Sequence, residues 1–282
     1  MWPPLIASAG YVVVFTLWTT LISFTRSSLL PDYTWAGLHN YTQVLVNRAW
    51  HIAYVNLLIY GAGFLALTTA LGLLLAVLID QRIRGENVFR TIFLYPMAVS
   101  FVVTGTVWSW LLNPRLGIQK MVHDLGWTNF RFDWVVNRDM AIYTVIIAGV
   151  WQATGFAMVL FLAGIRSVNA DLLKAAQIDG AGPWRTCLKV VLPTIWPIVA
   201  TVLVILLQFA IKTFDLVLAL TSGGPGLSST LPTLVVYDLM FQRGSLGGGS
   251  AAAILLLMSV AVVMGPYLAY ARWRRYRERG DV

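Results

Sequence analysis

Two opposite charges three residues apart, Lys212 and Asp215, stand inside an apolar run of this 282-residue chain. Of the twelve acidic residues, Asp215 is the one that falls within a segment apolar enough to lie in a membrane. Charge in hydrocarbon is costly unless it is paired or wetted. On a continuous helix, residues at i and i+3 share one face, and Gln208 and Thr213 lie in the same region. Two readings stay open. The pair is a mutual ion pair locking the helix in place, or it faces a wet cavity and holds a polar substrate. A second set is Trp151, Gln152, Gly155 and Phe156. Aromatic rings beside an amide suit a ligand with apolar C–H faces and hydroxyl edges, such as a carbohydrate; helix packing is the alternative for each.

Other chemistry is thinly supplied. There is no Gly-x-x-x-x-Gly-Lys-Ser/Thr phosphate loop, so the chain is not expected to hydrolyse ATP. His-Glu-x-x-His and Gly-x-Ser-x-Gly are missing as well. His39, His51 and His123 show no metal-ligand spacing, and no metal site is expected. The single cysteine, Cys187, excludes an intramolecular disulfide and reads as a packing residue.

The elements that must position these residues follow from composition. The chain is 58% hydrophobic and 11% charged, with a mean hydropathy of +0.73. A soluble domain carries roughly twice that charged fraction, so this is a polytopic membrane protein. The net charge of +8 resides in loops flanking apolar segments, which points to membrane topology rather than nucleic acid. About 20 mostly apolar residues cross a hydrocarbon core. Six segments qualify, near 4–24, 52–79, 91–112, 140–165, 194–221 and 249–271, in one membrane domain spanning 1–282. The first apolar segment has no basic leader and is expected to be retained.

Basic residues set the orientation. Twelve, from Arg82, Arg84 and Arg90 through Arg166, Lys174, Arg185 and Lys189 to the tail cluster at 272–282, share the side of the termini; seven lie opposite. The positive-inside rule puts both termini in the cytosol, and the tail has a second reading as a contact for anionic membrane lipid. Trp35, Tyr41 and Trp50 in the first outer loop read as interfacial anchors, with contact to a soluble partner as the minor alternative. Pro96 is expected to bend the third segment.

The longest polar interruption runs Lys174-Ala175-Ala176-Gln177-Ile178-Asp179-Gly180-Ala181-Gly182-Pro183-Trp184-Arg185 and continues to Leu192-Pro193. Asp171 to Ile178 contains good helix formers. Gly180 suits the left-handed backbone that ends a helix, and Pro183 suits the first position of the next. The expected shape is two short cytosolic helices with a break between them.

This stretch resembles the coupling loop of ABC importer permeases, in which Glu-Ala-Ala is followed by three residues and Gly. Ala175, Ala176, Asp179, Gly180, Ala181, Gly182 and Pro183 match, and Lys174 stands where the usual Glu would be. Gly223-Gly224-Pro225 after the fifth segment and Trp35-Ala36-Gly37-Leu38-His39-Asn40-Tyr41 in the first outer loop are also similar to the family. The resemblance implies an all-α membrane fold of the type I importer class, with six transmembrane helices and a coupling helix between the fourth and fifth. The coupling loop would be 170–193, docking into an ATP-hydrolysing subunit. It further implies a transport subunit that is no enzyme and holds no cofactor, with ATP and Mg bound by two partner subunits. A second permease subunit and an extracytoplasmic sugar-binding protein complete the implied assembly in a bacterial inner membrane. Alternating access of a sugar follows, and the run Phe214-Asp215-Leu216-Val217 looks most like glucose/mannose or α-glucoside permeases. In such permeases the fifth helix lines the sugar site at positions that fall near Leu206, Ala210 and Thr213. A secondary transporter would need internal repeats, and a membrane-embedded transferase would need an acidic partner for Asp215; neither is found in the sequence.

Overall fold

The computed structural model describes residues 2–81 and 84–280, with side chains described apart from 2–6, 177, 183, 184 and 266–280. Arg82 and the side chains of the basic tail therefore lie outside the described residues. In chain order the helices are α1 (Trp2–Ser23), α2 (His39–Val46), α3 (Arg48–Asp80), α4 (Glu86–Ala98), α5 (Phe101–Leu111), α6 (Ile118–Asp124) and α7 (Ala141–Arg166). Then come α8 (Ala170–Ile178), α9 (Pro183–Thr186), a π-helical turn at Cys187–Val191, α10 (Leu192–Thr194), α11 (Trp196–Lys212), α12 (Asp215–Leu220), α13 (Pro232–Tyr237), a second π-helical turn at Asp238–Gln242, and α14 (Leu246–Gly280). No strand forms among the described residues; one isolated bridge pairs Thr25 with Trp35.

Among the described residues, Arg48–Asp80, Ala141–Arg166 and Leu246–Gly265 are long and apolar enough to cross a membrane unbroken. Two further spans are bent pairs, Glu86–Ala98 with Phe101–Leu111 at 98° and Cys187–Thr194 with Trp196–Lys212 at 70°, while Ala7–Ser23 is a shorter apolar helix. The third and fifth apolar segments are thus not the continuous helices expected from hydropathy. Pro96 does mark the first break, but the chain turns three residues later. Val99 is extended and Ser100 starts a new helix, its hydroxyl accepting the Val103 N–H at 3.3 Å. The fifth segment breaks again at Thr213–Phe214, both non-helical, between α11 and α12.

The chain divides into two compact units, one of Met1–Asn56 with Thr230–Val282 and one of Leu57–Ser229. In the first, α14 packs on α1, α2 and α13. Val44, Trp50, Ala53, Val235, Ala251 and Ala252 form its core. Trp50 is buried there, so it is not the interfacial ring expected of it, whereas Trp35 is exposed and stacks on Phe24 at 5.3 Å. The Asn40 amide donates 2.8 Å hydrogen bonds to the carbonyls of Ser23 and Thr25, tying the outer loop to the end of α1.

In the second unit α7 is the central element. Ala141, Val145, Ala148, Ala157, Met158, Phe161 and Leu162 have no exposed surface. Lipid tails are as apolar as leucine, so burial alone does not draw membrane helices together; close approach of small residues does. Gly155 is the clearest case. A Cβ there would overlap the Phe93 carbonyl of α4 and stand 3.0 Å from the Leu94 nitrogen. Gly105 plays the same part for α5, where a Cβ would stand 2.9 Å from the Leu216 carbonyl of α12.

Candidate functional site

The membrane-embedded candidates divide into buried and exposed groups. Gln152 is 3% exposed on α7, and its Nε2 donates to the Val99 carbonyl at 2.8 Å. That carbonyl belongs to the break between α4 and α5, where the regular helical pattern has ended. The Gln152 amide thus satisfies backbone at the point the chain turns, while its Oε1 has no partner among the described residues. One turn on, Gly155 admits α4 as described. Thr213 is also buried; its hydroxyl donates to Phe209 O at 2.8 Å and lies 3.2 Å from the hydroxyl of the fully enclosed Tyr60.

The exposed group comprises Trp151, Gln208, Lys212 and Asp215, with Phe156 half-buried. Trp151 meets Trp108 of α5 edge-on at 5.9 Å, and Phe156 meets Phe209 of α11 at 5.8 Å. Lys212 and Asp215 do not share one helix face. Lys212 ends α11 and Asp215 begins α12, because Thr213 (φ −62, ψ 110) and Phe214 (φ −131, ψ −62) interrupt the helix between them. No ion pair joins them among the described residues. Each charge instead sits where a helix end favours it, a cation after the last turn and an anion in the first. Leu206 and Ala210 are buried in this chain. Tyr60 and Trp108 escape sequence reasoning, since a tyrosine and a tryptophan in apolar helices carry no local mark of their partners.

The polar interruption has a different geometry. Asn169 caps α8, its Oδ1 accepting the Asp171 N–H at 2.9 Å. The helix ends at Ile178, Gly180 takes φ +73, and the Ala181 N–H reaches back to the Ala176 carbonyl at 2.9 Å. This is the six-to-one bond of a Schellman ending. Pro183 opens α9, as its fixed φ favours. Leu173 and Ala176 face inward, whereas Leu172, Lys174, Ala175, Ile178 and Asp179 are exposed. Ile178 is 86% exposed, an apolar side chain at the tip of the segment. Lys174 lies 3.5 Å from Asp171 one turn back, so its charge has a local partner. Cys187 is buried and lines a cavity of about 370 Å³ with Leu173, Ala181 and Thr186.

Beside this segment lies a charged cluster that sequence reading did not assemble. Arg166 Nε is 3.2 Å from Asp80 Oδ1 and its Nη2 is 2.9 Å from Glu86 Oε1, while Arg90 Nη2 is 3.2 Å from the same Glu86 oxygen. The i,i+4 pair of Glu86 with Arg90 is legible locally; the approach of Arg166 is not, because it depends on helices packing far apart in sequence.

Long apolar helices and bent apolar pairs among the described residues, with an exposed helix–glycine–helix element after α7, fit a multi-pass membrane protein. Residues 68–276 match the family of binding-protein-dependent transport system inner membrane components, and the chain belongs to that family. A probable ABC transporter permease protein of Pyrococcus horikoshii is 35% identical over 271 residues, covering 95% of this chain and 93% of its own length. The xylose/arabinose import permease protein XacH of Haloferax volcanii is 37% identical over 264 residues, covering 92% and 81% respectively. Among solved structures, a bacterial ABC transporter involved in the import of the acidic polysaccharide alginate contains a chain of the same fold, with a TM-score of 0.81, 22% identity and coverage of 97% of this chain and 93% of that one.

Proposed function

We propose that this chain is a sugar-translocating permease subunit of an ATP-driven importer in the cytoplasmic membrane. A second permease subunit completes the pathway, two partner subunits bind ATP and Mg, and an extracytoplasmic binding protein delivers the sugar. The chain crosses six times with both termini in the cytosol, counting α1, α3, the α4–α5 pair, α7, the fifth segment and α14. The single observation that carries this reading is the exposed α8–Gly180–α9 element. It hangs from the end of the most buried helix, presents an apolar tip at Ile178 and bears basic residues. An amphipathic helix of this kind docks into a groove of another protein, and its attachment to α7 would pass movement into the membrane. The sugar assignment is supported by the import roles in the relatives' names and by Trp151 and Trp108, whose rings offer faces to a sugar's C–H surface. ATP binding would draw the paired coupling segments together and open the cavity outward. The alternating access that results needs helices that move as bodies around breaks.

Uptake of labelled sugar into vesicles carrying the assembled transporter tests this. Uptake should require ATP inside and binding protein outside; uptake driven by a sodium or proton gradient alone would refute it. In the same assay, on the reading that Asp215 faces the translocation pathway, Asp215→Asn should cut uptake roughly tenfold, about 1.4 kcal/mol. The amount of assembled complex should stay at the parent level. Equal loss of assembly and uptake would instead place Asp215 among the residues that hold the fold.

A further inference from the structure

Arg166 ends α7, and α8 begins four residues later at Ala170. Its guanidinium reaches Asp80, the last residue of α3, and Glu86, the first of α4. One side chain therefore joins the ends of three helices at the place where the chain leaves the bundle for the exposed segment. Leu173 and Asp80 line both a cleft of about 370 Å³ and one of about 650 Å³, the second shared with Glu86, Arg166, Val168 and Ala170. The two-carboxylate clasp links the root of α8 to the ends of the neighbouring helices. A planar guanidinium offers fixed donors to two carboxylates at once, whereas a lysine ammonium is a single point charge on a flexible stem.

We infer that Arg166 is a positioning residue for energy coupling: it transmits displacement of the α8–α9 segment into α3 and α4 through Asp80 and Glu86. The inference rests on the reading that this segment receives the motion of an ATP-binding partner. From Glu86 the link runs along α4 to the break at Val99, where Gln152 holds the turning backbone. Displacement at the root of α8 is thereby delivered to a bend within the membrane.

The test uses the assembled transporter in vesicles with binding protein and sugar, measuring uptake and ATP hydrolysis together. Arg166→Lys should lower sugar moved per ATP hydrolysed by roughly fivefold or more. Glu86→Gln, which weakens the same clasp from the other side, should lower the ratio in the same direction. A merely structural role would reduce the quantity of assembled complex and scale both rates together. An unchanged ratio in both variants, or failure of both to assemble, overturns the inference. Gly180→Val serves as the separate control. If it transports normally, the coupling reading itself fails. If it is inactive while Arg166→Lys keeps the parent ratio, only the role of Arg166 fails.

Discussion

Gly180→Val is expected to abolish uptake while the protein remains in the membrane at its normal level. Gly180 sits at φ +73, and a Cβ placed on it meets nothing within 4 Å. The substitution therefore causes no collision and leaves the buried helices alone. Its effect is on the backbone, because an L-residue pays roughly 1–2 kcal/mol in the left-handed region, and a β-branched residue is least suited to it. The exposed segment can relieve that cost by abandoning the Ala181–Ala176 closure, which moves α9 relative to α8 and spoils the shape offered to a partner. Gly180→Asn should keep most of the uptake, because asparagine tolerates this backbone. Uptake measured against the quantity of protein in the membrane fraction checks both, and normal transport by the valine variant would count against a coupling role.

Replacing Gly155 acts by the opposite route. In Gly155→Ala the added methyl collides with the Phe93 carbonyl, which is backbone and cannot swing away as a side-chain end would. Helices α4 and α7 must part. Overpacking of this kind costs about 1–3 kcal/mol. The Gln152 bond to Val99 lies one turn away, and its loss would add about 0.5–1.5 kcal/mol. A lower unfolding temperature in detergent, or failure to accumulate in the membrane, is the expected result. An unchanged unfolding temperature would mean that the helices approach less closely than described. Gly180→Val should leave that temperature untouched, so the two glycines separate a fold defect from a transmission defect.

The contrast between these glycines shows what a sequence can disclose. Gly180 and Pro183 are local signals, since a left-handed stop and a proline start act within one or two residues, and the expected pair of short helices is what forms. Gly155 gives no such signal. Its reason lies in Phe93, on another helix, so its spelling fits a ligand-lining face and a packing face equally well. Hydropathy marks the apolar segments because lipid exposure demands it, but it does not register breaks. Pro96 announces a bend without its size or place; the 98° turn comes at Val99–Ser100, where Gln152 supplies a hydrogen bond from α7. At Thr213–Phe214 there is neither glycine nor proline, and the interruption coincides with the Thr213 hydroxyl facing Tyr60. Treating this stretch as one helix wrongly puts Lys212 and Asp215 on one face. Trp50 misleads for a similar reason, because a tryptophan at a helix start suits a membrane interface as well as the core it enters.

The central claim is that the segment around Gly180 touches a nucleotide-binding partner. The most direct measurement places one reactive thiol at its exposed tip, Ile178→Cys with Cys187→Ser, in the assembled transporter. Short bifunctional reagents are then applied from the cytosolic side. The account predicts a cross-linked product containing this chain and an ATP-binding subunit, with a yield that changes when ATP is added. A labelled but uncross-linked chain in an assembly that still transports sugar would contradict it.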